Sequence, residues 1–304
     1  MHKFTLILVF FVQFLKLNAS ICNELGYIKS ELLFLKPFQD GLQCNCRPVE
    51  IVDVETVEGI IDSTIKENDR DPKYNWDFGF RLGGGYFVPC SNWQVEAFYT
   101  HFDSTANIIK NPDGWLKWKL NLNILDLSAK YLFHVHCFDI GVYTSLRFAD
   151  IDQKTHFESV TSVKRITAAD GQESTTLQIR NKKARQQSPM IGPLLGTSIV
   201  WKACENFGFC ADISIGSLYG RFKIKEKSID NYSNANYLTR KKRPFSCCQA
   251  VVDSTLGAYI TTKVCKFNVA FFLGWEQHRY FNFNAINTGD FCFDGINFSA
   301  TVHF

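Results

Sequence analysis

Apolar residues recur at every second position over most of this chain. From Ile296 onward, Ile296, Phe298, Ala300, Val302 and Phe304 fall on one face, with Asn297, Ser299, Thr301 and His303 on the other. A two-residue period is that of a β-strand, whose side chains point alternately to opposite faces. The same alternation sets Trp76, Phe78, Phe80 and Leu82 against Asp77, Gly79, Arg81 and Gly83, and restarts at Trp93, Val95, Ala97 and Tyr99 after the break Pro89-Cys90-Ser91-Asn92. Trp118, Leu120, Leu122 and Ile124 alternate with Lys119, Asn121 and Asn123. The parity then flips to Leu125, Leu127, Ala129 and Tyr131, which predicts a β-bulge. Phe138 to Phe148 alternate again, and further strands are expected over 189–201, 207–222, 248–261 and 267–281. A bent first strand is expected within 27–46, where Leu32 to Leu35 form a mixed apolar run ahead of Pro37 and Asp40-Gly41.

The connections sort into two kinds. Residues 47–73, 106–116, 156–188, 223–247 and 282–289 read as long or polar loops, whereas 89–92, 132–137, 202–206 and 262–266 read as short turns. Long loops at one end and short turns at the other describe an outer-membrane barrel, with the turns in the periplasm and the loops outside. A secreted β-sandwich has no reason to sort its loops in this way. The expected fold is therefore all-β, a transmembrane antiparallel barrel of about ten strands, or twelve if 156–188 holds a further hairpin. Its last strand should pair with its first and turn its apolar face to lipid.

Targeting agrees with this reading. Met1-His2-Lys3 followed by an apolar run from Phe4 to Leu15, with Leu17-Asn18-Ala19 beyond, reads as a signal peptide over residues 1–19, leaving 20–304 as the barrel. The context of Cys22 is poor for lipid attachment. No later segment approaches the ~20 apolar residues that a spanning helix needs. Removing the leader deletes two lysines and no acid from 33 basic and 30 acidic residues. The near-balance argues against a nucleic-acid partner. The 28 phenylalanines suit a surface facing lipid, and 11 cysteines in an exported chain point to disulfides, the odd one left free or bridging to another chain.

The stretch Trp76-Asp77-Phe78-Gly79-Phe80-Arg81-Leu82-Gly83-Gly84-Gly85-Tyr86 resembles the Legionella-type pore-forming major outer membrane proteins, which also occur in chlamydia-like bacteria. So do L-F-L-K-P-F-Q-D-G-L at Leu33 to Leu42, W-K-L-N-L-N-I-L-D-L at Trp118 to Leu127, S-L-Y-G-R-F at Ser217 to Phe222 and L-G-W-E-Q-H at Leu273 to His278. The resemblance implies a porin of the bacterial outer membrane, passing small hydrophilic solutes, without catalytic residues and without a cofactor. The many cysteines resemble the chlamydial side of the family, whose envelopes are stiffened by disulfides. The alternative is a barrel that conducts nothing and serves structure or adhesion.

Charged residues on the parity opposite the apolar face are the pore-lining candidates: Asp77, Arg81, Glu96, Lys119, Asp139, Arg147, Asp212, Asp253 and Glu276. In lipid a basic one would cost ~2–4 kcal/mol at the midplane, so the lumen is their expected place. There, opposed Arg and Asp/Glu would either select solutes or pair and fill the interior. A ten-strand barrel lies nearer the filled limit than the open one. Cys90, Cys137, Cys204 and Cys265 fall one in each short turn, and are expected to form disulfides between neighbouring turns, with a second copy, or with Cys-rich envelope proteins. Cys44, Cys46, Cys247, Cys248 and Cys292 are disulfide candidates toward the other end, and Cys210 has lumen parity. None of these spacings is that of a zinc site, and His134 and His136 beside Cys137 are expected to sit in solvent. Gly83 to Gly85 lack the following helix and Lys-Ser/Thr of a phosphate loop and are expected to allow close packing. No G-x-S-x-G or related nucleophile setting occurs. The basic residues of 158–188 (Lys164, Arg165, Arg180, Lys182, Lys183, Arg185) and of 221–243 (Arg221, Lys223, Lys225, Lys227, Arg240 to Arg243) are expected to be simply solvated, the alternative being that outside the outer-membrane lipid they face lipopolysaccharide or host glycans. The six tryptophans are expected mostly in interfacial girdles.

Overall fold

Strand follows strand throughout the computed structural model, which describes residues 25–39, 73–107, 114–166, 173–230, 236–241, 244–283 and 289–304. The strands are β1 (Gly26–Gln39), β2 (Lys73–Tyr74), β3 (Asp77–Phe87), β4 (Trp93–Asn107), β5 (Gly114–Val135), β6 (Phe138–Ile166), β7 (Glu173–Cys204), β8 (Phe207–Asp230), β9 (Asn236–Lys241), β10 (Phe245–Val264), β11 (Phe267–Tyr280) and β12 (Phe291–His303). Ten of them form a closed antiparallel barrel, in ring order β1-β3-β4-β5-β6-β7-β8-β10-β11-β12. The short β2 pairs β4, and β9 extends the top of β8. Closure is made by β12 on β1, in register from Tyr27 opposite His303 to Gln39 opposite Phe291. Leu25 N donates to Phe304 O at 2.8 Å and Phe304 N to Gly26 O at 3.0 Å, which ties the last residue into the seam. The predicted signal peptide and the loop 47–73 lie outside the described residues.

The barrel wall changes its apolar face part-way up. On β5, Leu125 and Leu127 point outward (39 % exposed at Leu125), yet Trp118, Leu120, Leu122 and Ile124 point inward and are buried, Trp118 completely. No bulge lies between these two sets. The pairing of β5 with β4 runs unbroken from Trp93–Tyr131 to Ala106–Trp118, and that with β6 from Val135–Phe138 to Gly114–Ser159. The parity flip at Ile124–Leu125 is therefore a change of surroundings rather than of register. Below it the outer face meets hydrocarbon and must be apolar. Above it the outer face meets water, and the apolar side chains turn into the barrel as in a soluble protein.

The same crossing occurs in other strands. Outward on β6 come Val142, Leu146 and Phe148, then Asp150, Asp152 and Lys154. On β7, descending, come Lys183, Arg185 and Gln187, then Ile191, Leu195 and Ile199; on β8, ascending, Ile213, Ile215 and Tyr219 give way to Arg221, Lys223 and Lys225. From Phe138 to Phe148 the apolar band spans about 33 Å of strand, or roughly 25 Å of membrane at the usual tilt. Aromatic rings gather at both edges. Trp93 lies 5.2 Å from Tyr131 and Trp201 5.6 Å from Phe209 at the lower edge, while Phe34 and Trp275 flank Trp76 at 5.2 and 6.0 Å at the upper. Trp118 departs from the expected girdle, because it belongs to the upper interior.

This crossing also corrects the loop boundaries. Much of 156–188 is strand, since β6 and β7 pair as far as Ile166 and Glu173. They form the tall end of a barrel hairpin rather than an added one, so the barrel has ten strands. Likewise β4 runs to Asn107, β5 starts at Gly114, β8 runs to Asp230 and β10 starts at Phe245. With 29 and 32 residues, β6 and β7 are far longer than the 9–11 needed to span a bilayer. Outside the membrane a strand needs no apolar outer face, so these polar segments resemble loops in the sequence.

Candidate functional site

The interior holds three layers. Nearest the short turns, Tyr27 Oη donates to Glu96 Oε1 at 2.5 Å, Gln94 Nε2 to the same oxygen at 2.8 Å, and Lys130 Nζ lies 3.4 Å from it. Beside them Tyr143 Oη donates to Asp212 Oδ1 at 2.6 Å. These tyrosines lie over glycines on the neighbouring strand. A Cβ on Gly85 would meet Tyr27 Cε1 at 2.5 Å, and one on Gly196 would meet Tyr143 Cζ at 2.3 Å. This close approach is the packing role expected of the Gly83 to Gly85 run.

The middle layer is a chain of charges crossing the barrel. Arg81 on β3 donates from Nη1 to Glu31 of β1 at 2.6 Å, from Nη1 and Nη2 to Glu276 of β11 at 3.2 and 3.3 Å, and from Nε to Thr100 at 2.9 Å. Asn297 Nδ2 donates to Glu31 at 2.8 Å and to Glu276 at 2.7 Å, and Lys29 Nζ lies 2.6 Å from Glu31. His278 sits between Glu276 (Nε2, 3.2 Å) and Asp253 (Nδ1, 2.8 Å). Asp253 lies 2.6 Å from Arg147 Nη1, and Arg147 donates two bonds to Asp126 at 2.7 and 2.9 Å. Glu31, Arg147, Asp253, Glu276, His278 and Asn297 are all buried. Such charges are tolerable at this depth only because each faces a partner.

The top layer is apolar. Leu33, Leu35, Phe102, Trp118, Leu122, Leu218, Phe222, Tyr280, Phe283, Phe291 and Phe293 form one cluster, none of them more than 1 % exposed. Phe293 stacks on His278 at 4.5 Å between ring centres, joining this layer to the charges beneath. Among the described residues the barrel is thus filled across its middle and upper sections.

Of the nine charged candidates, Arg81, Glu96, Arg147, Asp212, Asp253 and Glu276 enter the lower and middle networks. Asp77 sits higher, taking hydrogen bonds from Ser104 Oγ at 2.6 Å and Thr105 N at 3.1 Å. Asp139 is near the lower rim, between Lys202 at 2.7 Å and His134 at 2.7 Å. Lys119 corrects the assignment: it points outward above the apolar band, for the parity reason given for β5. The sequence reading missed Glu31, Asp126, His278 and Asn297. Asp126 was available from the parity of Leu125 and Leu127. Glu31 is masked by the two-faced apolar run that follows it, and His278 and Asn297 look like ordinary polar positions.

Cys90, Cys137, Cys204 and Cys265 lie at the four hairpin turns of one rim, exposed. Among the described residues these four thiols are free, so the expected staples between neighbouring turns are not formed. Cys90 and Cys265 have φ of 56° and 55°, where L-residues other than Asn, Asp and Gly are uncommon. Cys210 lies inward as expected; Cys247 and Cys292 are partly buried and Cys248 is exposed toward the other end, while Cys22, Cys44 and Cys46 lie outside the described residues.

The family model described as Legionella pneumophila major outer membrane protein precursor matches residues 22–302. This chain belongs to that family. The Legionella outer membrane protein family places this member in the bacterial outer membrane, in agreement with its lipid-facing band. No curated protein matches the chain. Among solved structures it is similar to the outer membrane protease OmpT of Escherichia coli (11 % identity, 95 % of this chain and 99 % of that one, TM-score 0.46). It is also similar to the Pseudomonas putida toluene transporter TodX (6 % identity, 93 % and 90 %, TM-score 0.32).

Proposed function

We propose that this family member is a structural barrel of the outer membrane, closed to solutes at rest, non-catalytic, and linked by its rim thiols to protein on the periplasmic side. The observation that carries the reading is the filled interior. An open channel requires solvent along its inward side chains, whereas here a charge layer with every carboxylate engaged lies beneath an apolar layer. Four exposed thiols at separate turns of one rim support linkage outward to a second copy or to a Cys-rich envelope protein, since the compartment is oxidising. Two of them occupy positive-φ positions that a Gly or Asn would fill at lower cost.

The porin reading has its own support in the polar lower vestibule of Lys29, Glu96, Lys130 and Asp212, which solutes could enter from the periplasm. Passage would require the Arg81–Glu276 contacts and the aromatic cluster above them to part. Planar-bilayer recording of refolded protein, with and without reductant, separates the two. The structural reading expects folded, inserted protein without discrete steps. Reproducible unitary steps would replace it with the porin, and steps only after reduction would tie the thiols to gating. Linkage is read from alkylated, non-reduced envelopes, where replacing the four rim cysteines by serine should collapse high-mass bands to monomer.

A further inference from the structure

Above the apolar band, the register of four neighbouring strands sets like charges side by side on the outer wall. Lys119 of β5 is opposite Lys154 of β6, Lys154 opposite Arg185 of β7, and Arg185 opposite Lys225 of β8. One rung higher, Lys117 is opposite His156, His156 opposite Lys183, and Lys183 opposite Lys227. The outward side chains of these two rungs surround a recess of about 480 Å³. At ordinary strand spacings the panel measures roughly 14 Å by 7 Å.

Like charges directly opposite one another destabilise a sheet. The lower rung has three such pairs and the upper has Lys183–Lys227, with His156 between Lys117 and Lys183 held toward its neutral form by desolvation and bonded to Asn181 at 3.0 Å. Four opposed cation pairs on adjoining rungs are not what a wall facing only water requires. Asp152, one rung below, offsets part of the charge: Arg185 donates to it at 2.9 and 2.7 Å, and Lys154 lies 3.6 Å away. The carboxylate among the residues lining the recess is Glu226. The remaining excess is positive.

Height selects the occupant. On β8 the outward cations begin at Arg221, directly above Tyr219 and the hydrocarbon, and continue through Lys223, Lys225 and Lys227, all exposed. On β5, Lys119 stands six residues beyond Leu125, about 15 Å above the band at the usual strand rise and tilt. A phospholipid headgroup layer is only ~5–7 Å thick. The panel therefore rises past simple headgroups to the level of sugars carried on an outer-leaflet lipid.

We propose that this panel binds the phosphorylated saccharide of an outer-leaflet glycolipid, whose phosphates lie between the cation rungs while its acyl chains rest on the band below. The test uses refolded barrel in detergent with rough lipopolysaccharide, native and chemically dephosphorylated, measured by co-migration and isothermal titration. Native glycolipid should bind at least about tenfold more tightly than the dephosphorylated form. The triple variant K119Q/K183Q/K225Q, changed only at exposed positions, should lose that difference while keeping its heat-modifiable migration. The rim variant K263Q/K266Q should keep it. Equal binding of both glycolipids, or an unchanged triple variant, would overturn the proposal. Inorganic phosphate displacing the glycolipid at submillimolar concentration would also overturn it, by showing a generic anion site.

Discussion

Arg81 and Glu276 meet across the inside of the barrel, their guanidinium and carboxylate 3.2 and 3.3 Å apart although β1 and β12 separate their strands in the wall. Glu276 is fully buried and also accepts from Asn297 and faces His278. The contact therefore joins the β3 side to the β11 side through the lumen. Removing one member leaves its partner charged and desolvated, which typically costs ~3–5 kcal/mol. Glu276→Ala should lower stability by about that much in urea titrations of the refolded protein. The R81A/E276A double variant should lose less than the sum of the singles, because each orphaned charge is removed with its partner. Neither should conduct, since the cluster around Phe291 and Phe293 remains above.

Tyr143 lies over Gly196, its directly paired residue on β7, and from there reaches Asp212. An added methyl at position 196 would sit 2.3 Å from the ring, so Gly196→Ala must push the tyrosine off its acceptor. Overpacking of this kind costs ~1–3 kcal/mol. Tyr143→Leu should lose the hydrogen bond, worth ~1.5–3 kcal/mol with a charged acceptor, together with the ring's packing over Gly196. Once that ring is gone, adding Gly196→Ala should cost little. A double-mutant cycle by chemical denaturation gives the coupling directly.

Asp290, outside the membrane ahead of β12, accepts from the Asn282 backbone N–H at 2.8 Å and from Arg279 at 3.0 and 2.7 Å. The Asn282 N–H, with Arg279 beside it, holds the Asp290 carboxyl below its usual value, against a smaller opposing effect of desolvation. A group depressed on folding contributes stability above its unfolded pKa of ~3.9 and loses it as pH falls through the lower folded value. Protection of the Asn282 amide from exchange should therefore persist at neutral pH and fall away on acidification below that range. Asp290→Asn should show weaker protection with no such acid step.

The ring of strands was legible from alternation alone, because below the crossing most outward positions must be apolar, Thr144 and Ser217 being exceptions. Closure by the last strand followed from Ile296 to Phe304 reading as one apolar face. The upper interior was not legible. Trp118 to Ile124 carry the same pattern as a lipid-facing strand, and a period of two cannot say which face meets which solvent. Only pairing partners decide it, and these are far away: Trp118 is opposite Ala106 and Thr155. The same ambiguity placed Lys119 in the lumen and gave the flip at Ile124–Leu125 to a bulge. The charge layer was half legible, since Arg81, Arg147, Asp253 and Glu276 stand out among apolar neighbours, whereas their partners Asn297 and His278 do not.

Ile124 and Leu125 give this crossing its sharpest test, being adjacent in sequence and placed in different media. Ile124 is 4 % exposed within the apolar cluster, and Leu125 faces outward at the top of the band. Truncating Ile124 to alanine removes buried methyl groups and leaves a cavity, with an expected cost of ~2–5 kcal/mol. Truncating Leu125 leaves a dent that mobile lipid or detergent chains can fill, so its cost should stay below about 1 kcal/mol. A charge scan extends the contrast. Val142→Arg, near the middle of the band, should cost ~2–4 kcal/mol, whereas Asn121→Arg, above it, should change stability by less than about 0.5 kcal/mol. Equilibrium unfolding of the four variants in one micelle or bilayer system gives all four values. Equal costs for Ile124→Ala and Leu125→Ala, or a tolerated Val142→Arg, would place the hydrocarbon boundary elsewhere and return the flip to a local defect of β5.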